Sequence, residues 1–146
     1  MDKVNGYALV TGASSGIGYA YARELASRGF NLVIVSNDGP ALEEKAQILR
    51  KDYPVEVEAV TMDLGTPDAA KRLYSWCCER QLEVEFLVNN AGVYHDRDFL
   101  DDSEQFNSLI LMLHVHTPAM LQYYFTKDMV ERGHGHVINM SSVTSG

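Results

Sequence analysis

The chain has 146 residues, enough for one domain that buries roughly two-thirds of the surface its unfolded form exposes. Hydrophobic residues make up 46% and charged residues 22%, a globular balance that argues against intrinsic disorder. A net charge of −8, with Lys and Arg scattered rather than gathered in a stripe, speaks against DNA, RNA or an anionic membrane surface as a partner.

Strand-like and helix-like segments alternate along the whole length. Tyr7 to Val10 is a short apolar run of the kind buried on both faces of a sheet. A glycine-rich turn follows, and Ile17, Tyr21 and Leu25 share one helical face. Gly29 closes that helix, and Leu32 to Val35 forms a second buried strand. Asn37-Asp38-Gly39-Pro40 is turn chemistry that opens a second helix, with Leu42, Ala46 and Leu49 inward and Pro54 beyond its end. Val55, Val57 and Ala59 alternate with Glu56 and Glu58, the pattern of a strand less buried on one face or at an edge.

Thr66-Pro67-Asp68 starts a third helix whose inward face reads Ala69, Leu73, Trp76 and Cys77. Phe86 to Val88 is a fourth strand. A long helical region is predicted from about Ser103 to Val130, interrupted or bent near Pro118, and His136 to Met140 is a fifth strand. Strands separated by crossover helices require a parallel sheet with right-handed connections. The expected architecture is therefore a single α/β domain over 1–146, a doubly wound, Rossmann-like parallel sheet of five strands.

Cys77 and Cys78 are adjacent and poorly placed for a mutual disulfide, so reduced thiols are expected. Met1 to Gly6 carries no leader-like run, and no apolar stretch approaches the roughly 18 residues of a membrane span. The cytoplasm is the expected location.

Thr11-Gly12-Ala13-Ser14-Ser15-Gly16-Ile17-Gly18 stands between the first strand and the first helix. Glycines there let the backbone turn tightly and approach a pyrophosphate, while the helix N-terminus offers free N–H groups and a partial positive charge. A flexible turn would use glycines too, but the strand–turn–helix placement is the context a dinucleotide motif demands. Three further motifs follow in order: Asp63-Leu64 after the third strand, Asn89-Asn90-Ala91-Gly92 closing the fourth, and Asn139-Met140-Ser141-Ser142 closing the fifth.

With its T-G-x-x-x-G-x-G spacing, this set resembles the amino-terminal part of the short-chain dehydrogenase/reductase family. The resemblance implies an NAD(P)-dependent oxidoreductase that interconverts a carbonyl and an alcohol. Gly12, Ser14, Ser15, Gly16, Ile17 and Gly18 would cradle the pyrophosphate. Ser36 and Asn37 would lie beside the adenosine ribose, Asp63 and Leu64 by the adenine, and Asn90, Ala91 and Gly92 against the adenosine. Ser142 matches the serine that orients the substrate oxygen. Read individually, the later motifs admit plainer roles: Asp63 as a cap on the turn before Pro67, Asn89 and Asn90 as turn residues, Ser141 and Ser142 as loop polars.

An acid at the end of the second strand binds the NAD ribose and repels the 2′-phosphate of NADP. Ser36 and Asn37 stand there, so NADP is favoured over NAD, with Asp38 as the acid instead if the strand runs longer. The family completes its site with a Tyr-x-x-x-Lys beyond the serine, and none follows Ser142 in these residues. The resemblance thus implies that the family's last strands are missing here and that this stretch alone turns over little. Tyr123 and Lys127 have the right spacing but precede the fifth strand, and read as a helix face. A dinucleotide-binding module without turnover is the alternative. A Rossmann methyltransferase is opposed by the Asn-Asn-Ala-Gly and Ser-Ser motifs.

The family's water-holding asparagine of the fourth helix corresponds to His114. The five histidines suggest no metal: His114 and His116 are two apart on a helix, and no carboxylate pattern completes a set around His134 and His136. The resemblance also implies a homo-oligomer built on the long fourth helix, and the unpaired fifth strand adds an edge open to self-association.

Overall fold

A computed structural model describes residues 6–14, 16–90 and 104–140, the side chains of 106 and 107 apart. The strands are β1 Tyr7–Thr11, β2 Asn31–Ser36, β3 Val57–Thr61, β4 Val84–Asn89 and β5 His136–Asn139. They pair in parallel in the order β3-β2-β1-β4-β5. The helices are α1 Gly16–Ser27, α2 Gly39–Asp52, α3 Ala69–Glu79, α4 Glu104–Leu111 and α5 Thr117–Arg132. A π-helical turn, Met112–His116, joins the last two.

Strand alternation sorts the core into two layers. Ala8, Val10, Leu32 and Ile34 face α1 and α2, against Ala22, Leu25, Leu42, Ala46 and Leu49. Leu9, Val33, Val35 and Leu87 face the other way, against Leu73 and Cys77 of α3 and Leu121, Phe125 and Met129 of α5. The fold is therefore the doubly wound, Rossmann-like α/β architecture that the apolar runs imply. No helix among the described residues is long and apolar enough to cross a membrane.

Several local readings are corrected. The buried face of α1 is Gly18, Ala22, Leu25 and Ala26; of the expected stripe Leu25 is buried, Tyr21 packs half-buried against the core, and Ile17 is 57% exposed. Small residues let α1 lie close to the sheet at Gly18 and Ala22, and Ile17 turns outward. β3 begins at Val57 rather than Val55 and lies at the sheet edge, as its alternation implies. In α3 the core position falls on Ala70, while Trp76 packs at the margin with the Arg80 guanidinium 4.1 Å from its ring centre.

The long helical region is interrupted just before Pro118, as expected. The interruption is the π-turn, and Pro118 sits in the first turn of α5, where its missing N–H costs little. Thr117 fixes this start by donating its hydroxyl to the Leu64 carbonyl at 2.7 Å. Gly133, at φ 87°, ends α5 in the left-handed region and donates to Met129 and Val130 carbonyls.

Candidate functional site

Because the sheet is parallel, the strand ends Thr11, Ser36, Thr61, Asn89 and Asn139 line one edge. The chain runs outward from β1 through β2 to β3, then returns to place β4 on the other side of β1. At such a reversal the flanking helices leave in opposite directions, and a crevice opens beyond the strand ends. The glycine turn stands at this β1/β4 point.

The turn is built by backbone conformations and a close approach that glycine alone permits. Gly12 and Gly16 have φ of 64° and 61°. A Cβ on Gly18 would strike the Gly12 carbonyl oxygen, with Asn90 Nδ2 at 2.6 Å. A Cβ on Gly16 would meet nothing within 4 Å among the described residues, which leaves that side of the turn open toward a ligand. Neighbouring strands hold the turn from both sides. Asn90 donates its backbone N–H to Thr11 Oγ1 at 2.8 Å and its side-chain amide to the Gly12 carbonyl at 3.4 Å. Ala13 donates to the Val35 carbonyl at 3.2 Å.

At the end of β2, Ser36 is 7% exposed and links two segments. Its hydroxyl accepts the Asp38 N–H and donates to Ser14 Oγ, both at 3.0 Å. Asp38 lies past the strand end, and its carboxylate accepts the Ala41 N–H at 3.1 Å as the N-cap of α2. β2 runs through Ser36, one residue beyond Val35, and Asp38 stands two residues past that end. Asn37 and Asp38 are both exposed at this corner.

After β3, exposed Asp63 accepts the Gly65 N–H at 2.9 Å, as the turn-capping reading allows, and Leu64 is buried core. Asn89 is no turn residue. It is buried within β4 and donates to the Pro118 carbonyl at 3.2 Å and Asn139 Oδ1 at 2.9 Å, so it ties β4 to both α5 and β5. Asn139 passes the link on to Gln122 Oε1 at 2.8 Å. Sequence reasoning missed Thr117, Gln122 and Asn139 as supports of this edge, because each acts through a partner far away in the chain. Ser15, Ala91, Gly92 and Ser142 lie outside the described residues.

His114 occupies the π-turn, and its Nε2 is buried without a partner among the described residues. Such turns recur at functional positions. His116 Nε2 lies 3.3 Å from the Pro67 carbonyl oxygen. Tyr123 and Lys127 form an exposed helix-face pair, with the ammonium 5.9 Å from the ring centre. His134 departs from the expectation that no carboxylate accompanies the histidines. Glu83, Glu85 and His134 bring ligand-type atoms within 4.8 Å of one another. Tyr74 donates its hydroxyl to Asp128 at 2.7 Å, and burial, then the neighbouring Cys78, pushes the Cys77 thiol up to about 12. Both lie in the α3–α5 layer and serve packing.

Residues 6–146 match the family model described as short chain dehydrogenase. The chain belongs to this family. It is 32% identical over 142 residues to very-long-chain 3-oxoacyl-CoA reductase-B of Danio rerio, covering 94% of this chain and 45% of that reductase. It is 33% identical to the human inactive hydroxysteroid dehydrogenase-like protein 1, over 93% of this chain and 42% of that protein. Among solved structures, a short-chain dehydrogenase from Sphingobium yanoikuyae in complex with NADPH superposes with a TM-score of 0.84 at 32% identity, covering 94% of this chain and 54% of the other. The chain thus spans about half the length of the relatives it matches.

Proposed function

We propose that the chain forms the dinucleotide-binding part of an oxidoreductase that interconverts a carbonyl and an alcohol, with NADP favoured over NAD. The observation that carries this is the glycine turn at the strand-order reversal, held by Asn90 and Ala13 and open at Gly16. Gly12, Ser14, Ser15, Gly16, Ile17 and Gly18 would hold the pyrophosphate at the amino end of α1. Asp63, Leu64, Asn90, Ala91 and Gly92 would bound the adenosine. Ser36 acts by fixing Ser14, and Asn37 is left to meet the ribose.

The NADP preference is supported by the state of Asp38. Asp38 Oδ1 is turned to the α2 cap, and the strand end itself carries the neutral Ser36 and Asn37 in the place where an acid would pair with the ribose hydroxyls. The Sphingobium relative, solved with NADPH, agrees. When bound, the cofactor supplies or accepts the hydride, and Ser142 would orient the substrate oxygen. Isothermal titration tests the reading: NADPH should bind more tightly than NADH, and failure of both to bind would refute it. These 146 residues alone should consume little NADPH with a carbonyl substrate, and robust turnover would overturn that expectation.

A second reading, a module that holds the dinucleotide without turnover, is supported by the relative described as inactive. It predicts NADPH binding with no carbonyl-dependent oxidation in the whole protein. We further infer a homo-oligomer. Leu111, Val115, Tyr123 and Val130 are 62%, 58%, 57% and 72% exposed along α4, the π-turn and α5, and Tyr123 lines an open groove of about 550 Å³ on α5. A monomer by light scattering would refute this. The free thiols fit a reducing compartment, and we propose the cytoplasm, to be checked by fractionation.

A further inference from the structure

At the amino end of β4, away from the glycine turn, two carboxylates and an imidazole converge. Glu83 and Glu85 flank the buried Val84, and alternation along a strand points both to one side. The pairing of Phe86 with His136 brings the α5–β5 turn alongside. That turn is held by Gly133 and Gly135, at φ 87° and 150°, and it sets His134 Nδ1 2.7 Å from Glu85 Oε2.

The two carboxylates exceed the local fixed positive charge. Arg132 places Nε 3.0 Å from Glu83 Oε2 and spends Nη2 on the Val84 carbonyl at 2.7 Å. One guanidinium thus faces two acids, and the imidazole adds a nitrogen donor beside them. A nitrogen and two carboxylate oxygens within 4.8 Å suit a borderline divalent cation such as zinc, with water completing the coordination at this half-exposed rim.

We propose that Glu83, Glu85 and His134 form a divalent transition-metal site that clamps β5 to β4 at the end of the sheet opposite the cofactor crevice. The metal takes the place of the Nδ1 proton beside Glu85 and engages the Glu83 carboxylate, whose second oxygen stays with Arg132. The clamp spans the sheet edge at which β5 is held by β4 alone among the described strands. Its role is structural, so it does not depend on the oxidoreductase reading.

The test is thermal denaturation of the full chain in EDTA and in zinc chloride at neutral pH, with isothermal titration for stoichiometry. Zinc at about a hundredfold its Kd should raise Tm by roughly 5–10 °C, with one ion bound per chain. Each variant is compared with itself with and without zinc, so any destabilisation of the apo fold cancels. In both His134→Gln and Glu85→Gln the zinc-dependent shift should vanish. No shift in the parent chain, or a shift that persists in either variant, overturns the proposal.

Discussion

Substituting Gly18 with alanine measures how tightly the glycine turn is locked to the sheet. The added Cβ would stand 2.6 Å from Asn90 Nδ2 and 2.8 Å from the Gly12 carbonyl carbon, and closer still to that carbonyl oxygen. Ordinary non-bonded contacts of carbon lie near 3.5–4.0 Å, so α1 must retreat from β1 by about 1 Å. Gly12 cannot easily swing its carbonyl aside, because its φ of 64° is part of the turn. Overpacking of this kind costs about 1–3 kcal/mol, and loss of the Asn90–Gly12 hydrogen bond adds about 1 kcal/mol. Gly18→Ala should therefore remain folded but lose about 2–4 kcal/mol in urea denaturation followed by Trp76 fluorescence. NADPH affinity should fall at least about tenfold, since the α1 amides move with the helix. A variant with the parent's urea midpoint and NADPH affinity would refute the close-approach argument.

Asp38→Ala should lose about 1 kcal/mol through the missing α2 cap, and Asp38→Ser should restore most of it. Neither should change the ratio of NADPH to NADH affinity, and a changed ratio in Asp38→Ser would return Asp38 to the ribose site. Asn37→Asp places a free carboxylate at the exposed corner and should weaken NADPH by about tenfold relative to NADH, read by titration. Cys77, its thiol raised to about 12 from an ordinary 9.0 by burial and then by Cys78, stays protonated in the fold while the unfolded thiol ionises. Its contribution is complete below pH 9 and is lost as pH climbs toward 12, by up to about 1.4 kcal/mol per unit. Tyr74, raised by burial and then by its bond to Asp128, extends the decline above pH 10. Urea midpoints against pH should therefore fall above pH 9, and Cys77→Ala should flatten the onset; an unchanged onset would refute the assignment.

Much of the architecture was legible because burial on both faces leaves continuous apolar runs. Leu32 to Val35 is such a run, and each residue of it is fully buried. The glycine turn was legible for a different reason: backbone requirements at Gly12, Gly16 and Gly18 admit few other residues. What escaped was anything set by tertiary partners. The rotation of α1 depends on Gly18 meeting Gly12, which no periodicity in Ile17, Tyr21 and Leu25 encodes. The π-turn shifts the helix register before Pro118, so the proline marked the region but not the cause. Asp38 and Asp63 show the limit at the site itself. Both are acids at strand ends, and only their hydrogen bonds to Ala41 and Gly65 show what their carboxylates do.

The buried polar side chains gather at the carboxyl edge of the sheet. Thr11, Ser36 and Asn89 each end a strand, and Thr117 starts α5 beneath Leu64. A buried polar group left unpaired costs about 1–3 kcal/mol, so each must be held where its partner lies, and each in turn fixes the position of that partner. Asn89 carries this furthest, since one amide group serves both the Pro118 carbonyl and Asn139. Asn89→Ala removes two bonds, leaves the Pro118 carbonyl without this donor, and releases the tie between β4 and β5. A loss of about 2–3 kcal/mol is expected, concentrated in β5, because that strand pairs with β4 alone among the described strands. Amide hydrogen exchange locates it: protection of Val137 and Ile138 should drop more than that of Val33 and Ile34, which are flanked by strands on both sides. Uniform loss across the sheet would mean that Asn89 acts on global stability and that the strand-end network is not what secures the edge.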